Sequence, residues 1–265
     1  MVVVVNKKIF LDKIIRYFRG DNNIPESLED KISIWEELVT TESLENVPED
    51  ILSCEDKFLR LDLINRKLTD GERLQTIDTL DSSTKYGDKI ALWNGDITTI
   101  YSDVIVNPTC NDMLLRREVK LENVDYNIFL RSGMRLVNKC LTLIDKELDD
   151  SEITITRAYN LPCDYIIHVI VPDLNEVNEE KLNMLSMCYM NALECAKNNM
   201  AKIIVIPCIG SDSNVAINRL VEVALESVYK FLDRNNSLIE KIILQVSNEE
   251  MYNLYSLYLT GDNDA

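Results

Sequence analysis

Five short stretches of the chain carry side chains or backbone able to do chemistry. Trp93-Asn94-Gly95-Asp96-Ile97-Thr98 reads as a strand ending in a Gly-Asp turn, which presents the Asp96 carboxylate beside the backbone of Ile97. Such a carboxylate either accepts from an outside amino donor, which gives specificity, or caps the turn it sits in. Asp103 to Asn107 reads as a short buried strand that opens into the polar run Pro108-Thr109-Cys110-Asn111. Asn107 is placed to contact a ligand or to hold that loop. Cys110 offers a thiol but no base is identifiable near it in sequence, so a buried, inert thiol is expected. Gly210-Ser211 marks a strand-to-helix turn, where a small residue is needed. His168 is the sole histidine and lies inside an apolar run, so a satisfied core residue is expected there rather than an acid or base.

The bulk properties narrow what these residues serve. The chain has 265 residues and a formal net charge of −17, which argues against nonspecific nucleic-acid binding and against anionic membrane surfaces. That charge attracts no anionic ligand from a distance. Any anion site would have to be built locally from N–H groups and a helix start. Seven cysteines without C-x-x-C spacing point to a reducing cytoplasm. The opening Met1-Val2-Val3-Val4-Val5 is too short for a signal peptide, and no apolar run reaches transmembrane length.

The elements that must position these residues follow from periodicity. Residues 1 to about 80 carry helical patterns: Ile9, Phe10, Ile14, Tyr17 and Phe18 share a face, as do apolar positions in Glu26–Thr40, with Pro25 at the start, and in Ile51–Lys67. Thr69-Asp70-Gly71 ends that region, and Asp81-Ser82-Ser83-Thr84 is a polar linker. Beyond it, strands are predicted at Lys89–Trp93, Asp103–Asn107, Ile153–Arg157, Tyr165–Val171, Lys202–Ile209 and Lys241–Val246, and helices at Asp125–Glu147, Glu176–Asn198, Val215–Leu232 and Glu249–Leu259. Runs such as Ile203-Ile204-Val205-Ile206 are apolar on both faces, as central strands of a covered sheet require. Met184, Met187, Tyr189 and Met190 read as helix packing. The alternation argues an α/β layered domain.

Taken in order, these segments resemble the macrodomain family, whose members hold ADP-ribose. Leu92-Trp93-Asn94-Gly95-Asp96-Ile97-Thr98 is close to the family pattern, and Ile155-Thr156-Arg157-Ala158-Tyr159-Asn160-Leu161-Pro162 with Tyr165 and His168 resembles its central signature. Ser132-Gly133-Met134-Arg135-Leu136 and Pro207-Cys208-Ile209-Gly210-Ser211 are similar to two further segments. The helical N-terminal third, with Cys54-Glu55-Asp56-Lys57-Phe58-Leu59, looks like the extension of the zinc-dependent branch, which acts as protein ADP-ribosylhydrolases. The resemblance implies a three-layer α/β/α macrodomain over residues 85–265, with a mixed, largely parallel central sheet and an all-helical extension over residues 1–84.

It also implies roles. Asp96 would accept from the adenine amino group with the Ile97 backbone assisting, Asn107 would contact ribose, and Gly210 and Ser211 would face phosphate. The three zinc-ligand positions of the branch fall on Arg116, Leu121 and Asn123. A guanidinium and an alkyl chain cannot bind Zn²⁺ and an amide binds it poorly, so no zinc is expected. The second loop asparagine of the family falls on Cys110, with Asn111 adjacent. The chain lacks glycine between Gly95 and Gly133, and Asp212 adds a negative charge to the second phosphate loop. The expected function is binding of ADP-ribose or a related adenine nucleotide without zinc-dependent hydrolysis. Two alternatives stay open: a zinc-independent ADP-ribosylhydrolase using Asn111 or Asp125 to position water, and a protein-interaction module that has lost the nucleotide. ADP-ribose or an ADP-ribosylated protein is the expected partner, with neither nucleic acid nor membrane.

Overall fold

A computed structural model describes residues 2–20, 24–113, 123–143, 149–235 and 238–261. They fall into two compact units, one drawn from Met1–Leu68, Met113–Asp145 and Ala158–Leu161, the other from Thr69–Asp112, Lys146–Arg157 and Pro162–Ala265.

The first unit is helical: α1 (Val2–Arg19), α2 (Leu28–Thr41), α3 (Glu49–Ile64), α4 (Val124–Ser132) and α5 (Met134–Leu143). Ser27 caps α2 by accepting from the Asp30 N–H, one residue pair beyond the Pro25 start that the sequence suggests. The stretch predicted as one helix from Asp125 is two. Gly133 ends α4 with φ +90, a conformation that β-carbon-bearing residues avoid, and α5 starts one residue later. The end predicted at Glu147 lies outside the described residues. Leu11, Ile14, Trp35, Leu38, Phe58, Phe129 and Leu136 are buried, and the Trp35 and Phe58 rings meet edge to face at 4.9 Å.

Glu55 is buried within this helical unit. Its Oε1 accepts from the Trp35 indole N–H at 2.8 Å and its Oε2 from the Met134 N–H at 2.7 Å, the first amide of α5. Burial pushes its pKa up to about 7, although both N–H donors favour the ionised form. On one side Arg135 donates to Asp56 at 2.9 Å, and Asn160 donates to both Asp56 (2.9 Å) and the Ser132 carbonyl (3.0 Å).

The second unit is the sheet domain: β1 (Thr69–Asp70), β2 (Ile90–Asn94), β3 (Ile100–Thr109), β4 (Ile153–Arg157), β5 (Cys163–Ile170), β6 (Ile203–Pro207) and β7 (Lys241–Val246), with helices α6 (Glu179–Asn198), α7 (Ile217–Asn235) and α8 (Glu249–Thr260). The order is β2-β7-β6-β3-β5-β4, with β1 beside the start of β3. Every pairing is parallel except β4 with β5. Residues 69 and 70, read from sequence as the end of a helical region, thus form a short strand. Ile90, Leu92, Val104, Val106, Ile167, Val169, Ile204, Ile206, Ile242 and Leu244 share one face and form a core with α6, α7 and α8. Their opposite-facing neighbours Ala91, Ile105, Ile166, Val205 and Ile243 are equally buried, which explains runs apolar at every position. Lys241 fixes the chain after β1, its Nζ donating to the carbonyls of Gly71, Glu72 and Leu74 at 3.1, 2.6 and 2.7 Å. Among the described residues no helix is long and apolar enough to cross a membrane.

Candidate functional site

Parallel strands end at one edge, and in an open α/β sheet ligands bind beyond those carboxyl ends. Here β2, β7, β6, β3 and β5 deliver the Gly95–Thr99 turn, the Cys110–Asp112 turn and the Cys208–Ala216 loop to that edge.

Asp96 opens a single 3-10 turn, Ile97–Thr99, and its Oδ1 accepts from the Thr98 N–H at 2.9 Å and the Thr98 Oγ1 at 2.7 Å. Asp96 is exposed while Ile97, Thr98 and Thr99 are buried, so the turn is anchored from below. The capping role weighed from sequence is thus present, in a form that also orients the carboxylate. Gln245 supplies a second anchor that the sequence did not reveal. Buried at the end of β7, it donates Nε2–H to the Gly95 carbonyl at 2.8 Å and to the Val246 carbonyl at 3.0 Å. A lone glutamine near the end of an apolar strand is the only sequence signal for it.

Asn107 and His168 are neighbours in register on β3 and β5, both fully buried. Asn107 donates Nδ2–H to His168 Nδ1 at 3.2 Å, so the ring proton sits on Nε2 and is donated to Thr156 Oγ1 at 2.9 Å. Burial holds the imidazole pKa down at about 3, so the ring is neutral at physiological pH. The three side chains tie β3, β5 and β4 near the end of β3 that leads into the Cys110–Asp112 turn. This matches the structural role expected of His168, and it places the Asn107 side chain against the ring. Cys110 differs from expectation. It is exposed, because the strand ends at Thr109 and the next residue leaves the sheet. Asn111 follows in the same turn, half-buried.

The loop after β6 starts at Cys208, whose buried thiol is raised to about 11 by desolvation and so is inert. Gly210 has φ +84, which favours glycine, and a Cβ there would also lie 2.8 Å from Leu174 Cδ1 and push that side chain aside. Ser211 N–H turns back to the Cys208 carbonyl at 3.3 Å and Ser213 N–H to the Gly210 carbonyl at 2.9 Å. Ser211 and Asp212 are exposed, and α7 begins at Ile217.

Asp125 lies in the first turn of α4, in the helical unit. Asn123, one of the three positions compared with zinc ligands, caps α4 through its Oδ1, which accepts from the Tyr126 N–H at 3.1 Å. Arg116, Arg117 and Leu121 lie outside the described residues. An alkyl chain, a guanidinium and an amide engaged in capping do not fit a zinc site.

The fold is that of an α/β macrodomain, and residues 106–218 match the Macro domain family model. The Trypanosoma brucei macrodomain solved in complex with ADP-ribose aligns with a TM-score of 0.65 at 21% identity, over 83% of this chain and 93% of that one. Along nearly its whole length the chain resembles a protein of Staphylococcus aureus (strain MRSA252) named protein-ADP-ribose hydrolase, with 28% identity over 93% of this chain and 92% of that protein. Human ADP-ribose glycohydrolase MACROD2 is 29% identical over 68% of this chain and 41% of its own length.

Proposed function

We propose that this chain binds ADP-ribose, or a related adenine nucleotide, at the carboxyl edge of its sheet and does so without zinc-dependent hydrolysis. The observation that carries the reading is the Gly95–Thr99 turn. The Asp96 carboxylate is held by Thr98, and the preceding Gly95 carbonyl by Gln245, next to the Ile97 backbone. Asp96 would accept from the adenine amino group, and the Ile97 N–H would donate to a ring nitrogen. The Cys208–Ala216 loop and the start of α7 would face the diphosphate, since N–H groups at a helix start favour anions. With Asp212 in that loop and a net charge of −17, this affinity arises from local N–H groups and falls little with salt. Asn107 would act through the Cys110–Asp112 turn that its strand leads into, since its Nδ2 is engaged with His168. We assign this role to residues 85–265 and treat 1–84 as a helical extension. Free cysteines throughout the described residues are consistent with a reducing cytoplasm.

Backbone-amide NMR shift mapping with ADP-ribose tests the reading. Perturbations should centre on Gly95–Thr99 and on residues 208–216. Saturating ligand that leaves both segments unmoved would contradict it.

One observation favours a second reading, zinc-independent removal of ADP-ribose from modified proteins. Asn111 stands at the same edge, and relatives spanning the chain carry the hydrolase name. Release of ADP-ribose from a modified protein, lost in Asn111→Ala or in Asp125→Ala, would support it. Absence of turnover would leave binding as the activity, and absence of both binding and turnover would point to a protein-interaction role.

A further inference from the structure

We propose that Tyr189 is the positioning residue of the diphosphate loop, acting through the backbone of Ile209 from beneath the sheet edge. The inference rests on the nucleotide-binding reading above. Tyr189 lies in the middle of α6, fully buried, and its hydroxyl oxygen accepts from the Ile209 N–H at 2.8 Å. Ile209 is itself buried and immediately precedes Gly210, where the chain takes its positive φ. The bond therefore fixes the last peptide before the loop turns.

Packing alone does not require a tyrosine here. Phenylalanine would fill the same volume, but it would leave the Ile209 N–H buried with its partner removed. Tyr255 of α8 is buried as well and lies beside Tyr189 and Cys208. Desolvation keeps both phenols protonated, so each retains a proton to donate. The anchor thus reaches from α6 to the root of the loop that follows β6. A loop expected to receive a diphosphate from its N–H groups must hold those groups in place before the ligand arrives, since ordering them on binding weakens affinity. The Asp96 turn hangs on a different anchor, Gln245, so the two halves of the ligand site are held independently.

The test compares Tyr189→Phe with the wild type by two readouts. In amide hydrogen exchange without ligand, Ile209 to Asn214 should lose protection while β6 and α7 keep theirs. Unchanged exchange in the loop would overturn the lock. In calorimetric titration, ADP-ribose should bind about tenfold more weakly while adenosine, held by the Asp96 turn, keeps its affinity. Equal weakening of both would mean general distortion and would overturn the positioning role. If the wild type binds no ADP-ribose, the reading of the site fails and the diphosphate role falls with it, while the exchange data still decide whether Tyr189 locks the loop. If Tyr189→Phe does not fold, exchange of the Ile209 amide in the wild type decides: protection equal to that of β6 is expected, and protection no better than that of Asp212 to Asn214 overturns the lock.

Discussion

Replacing His168 by glutamine should change the pH dependence of stability more than its size at neutral pH. In the folded chain the imidazole stays neutral down to about pH 3, whereas an unfolded histidine titrates near 6.5. Between those values the unfolded state binds the extra proton. The contribution is therefore fully present above pH 6.5 and is lost as pH falls toward 3. At about 1.36 kcal/mol per pH unit the full loss is about 5 kcal/mol, of which about 3 kcal/mol falls between pH 6.5 and pH 4. Glutamine can accept from Asn107 and donate to Thr156, as the neutral ring does, but it does not titrate. At pH 7 the variant should be about 1–3 kcal/mol less stable, from imperfect packing and hydrogen-bond geometry. Urea unfolding of both proteins from pH 8 to pH 4 gives two profiles whose difference cancels every other titrating group. The gap should close by about 3 kcal/mol on going to pH 4, so that the variant becomes equal or more stable. Parallel profiles would refute a buried neutral His168 tying the three strands.

Two other perturbations follow from the same kind of reasoning. Gly210→Ala forces a β-carbon into positive φ and against Leu174, and should cost about 1–2 kcal/mol in urea unfolding, with ADP-ribose affinity falling in the same variant. Glu55 has a folded pKa of about 7 against 4.5, so its contribution is present below pH 4.5 and is lost as pH rises to 7, by about 3 kcal/mol. Glu55→Gln should flatten that window in a stability–pH profile, at the cost of one mismatched donor against Trp35 or Met134.

The strands were legible where burial on both faces leaves long apolar runs. Ile153–Arg157 and Lys241–Val246 match their predicted bounds. The strand predicted from Asp103 begins earlier, at Ile100, because β1 pairs with its first residues, a long-range partner that no local pattern encodes. It also continues through Pro108, tolerated because the ladder with β6 covers only Val104 and Ile105. The break at Gly133 was written in the sequence as a glycine, but helical periodicity on either side concealed it. At the site, the turn chemistry of Gly95-Asp96 was readable from residue types alone. The supports were not: Gln245 and Tyr189 act through buried hydrogen bonds to Gly95 and Ile209, segments distant in sequence, and each looks like an ordinary strand or helix residue. Cys110 shows the reverse error, a thiol read as buried and inert for want of a base near it in sequence, and placed outside by the end of its strand.

The central claim is that Asp96 and its turn hold an adenine nucleotide. Calorimetric titration of ADP-ribose into the wild type and into Asp96→Asn tests it most directly. Asparagine keeps an amide oxygen for the Thr98 cap and puts an NH2 donor where the carboxylate had an acceptor, so the fold is retained and the adenine contact is lost. Binding by the wild type with about tenfold or greater weakening in the variant, the loss of a charged hydrogen bond of about 1.5–3 kcal/mol, is the predicted result. Equal affinity in both proteins, or no heat from either at millimolar ligand, would contradict the account.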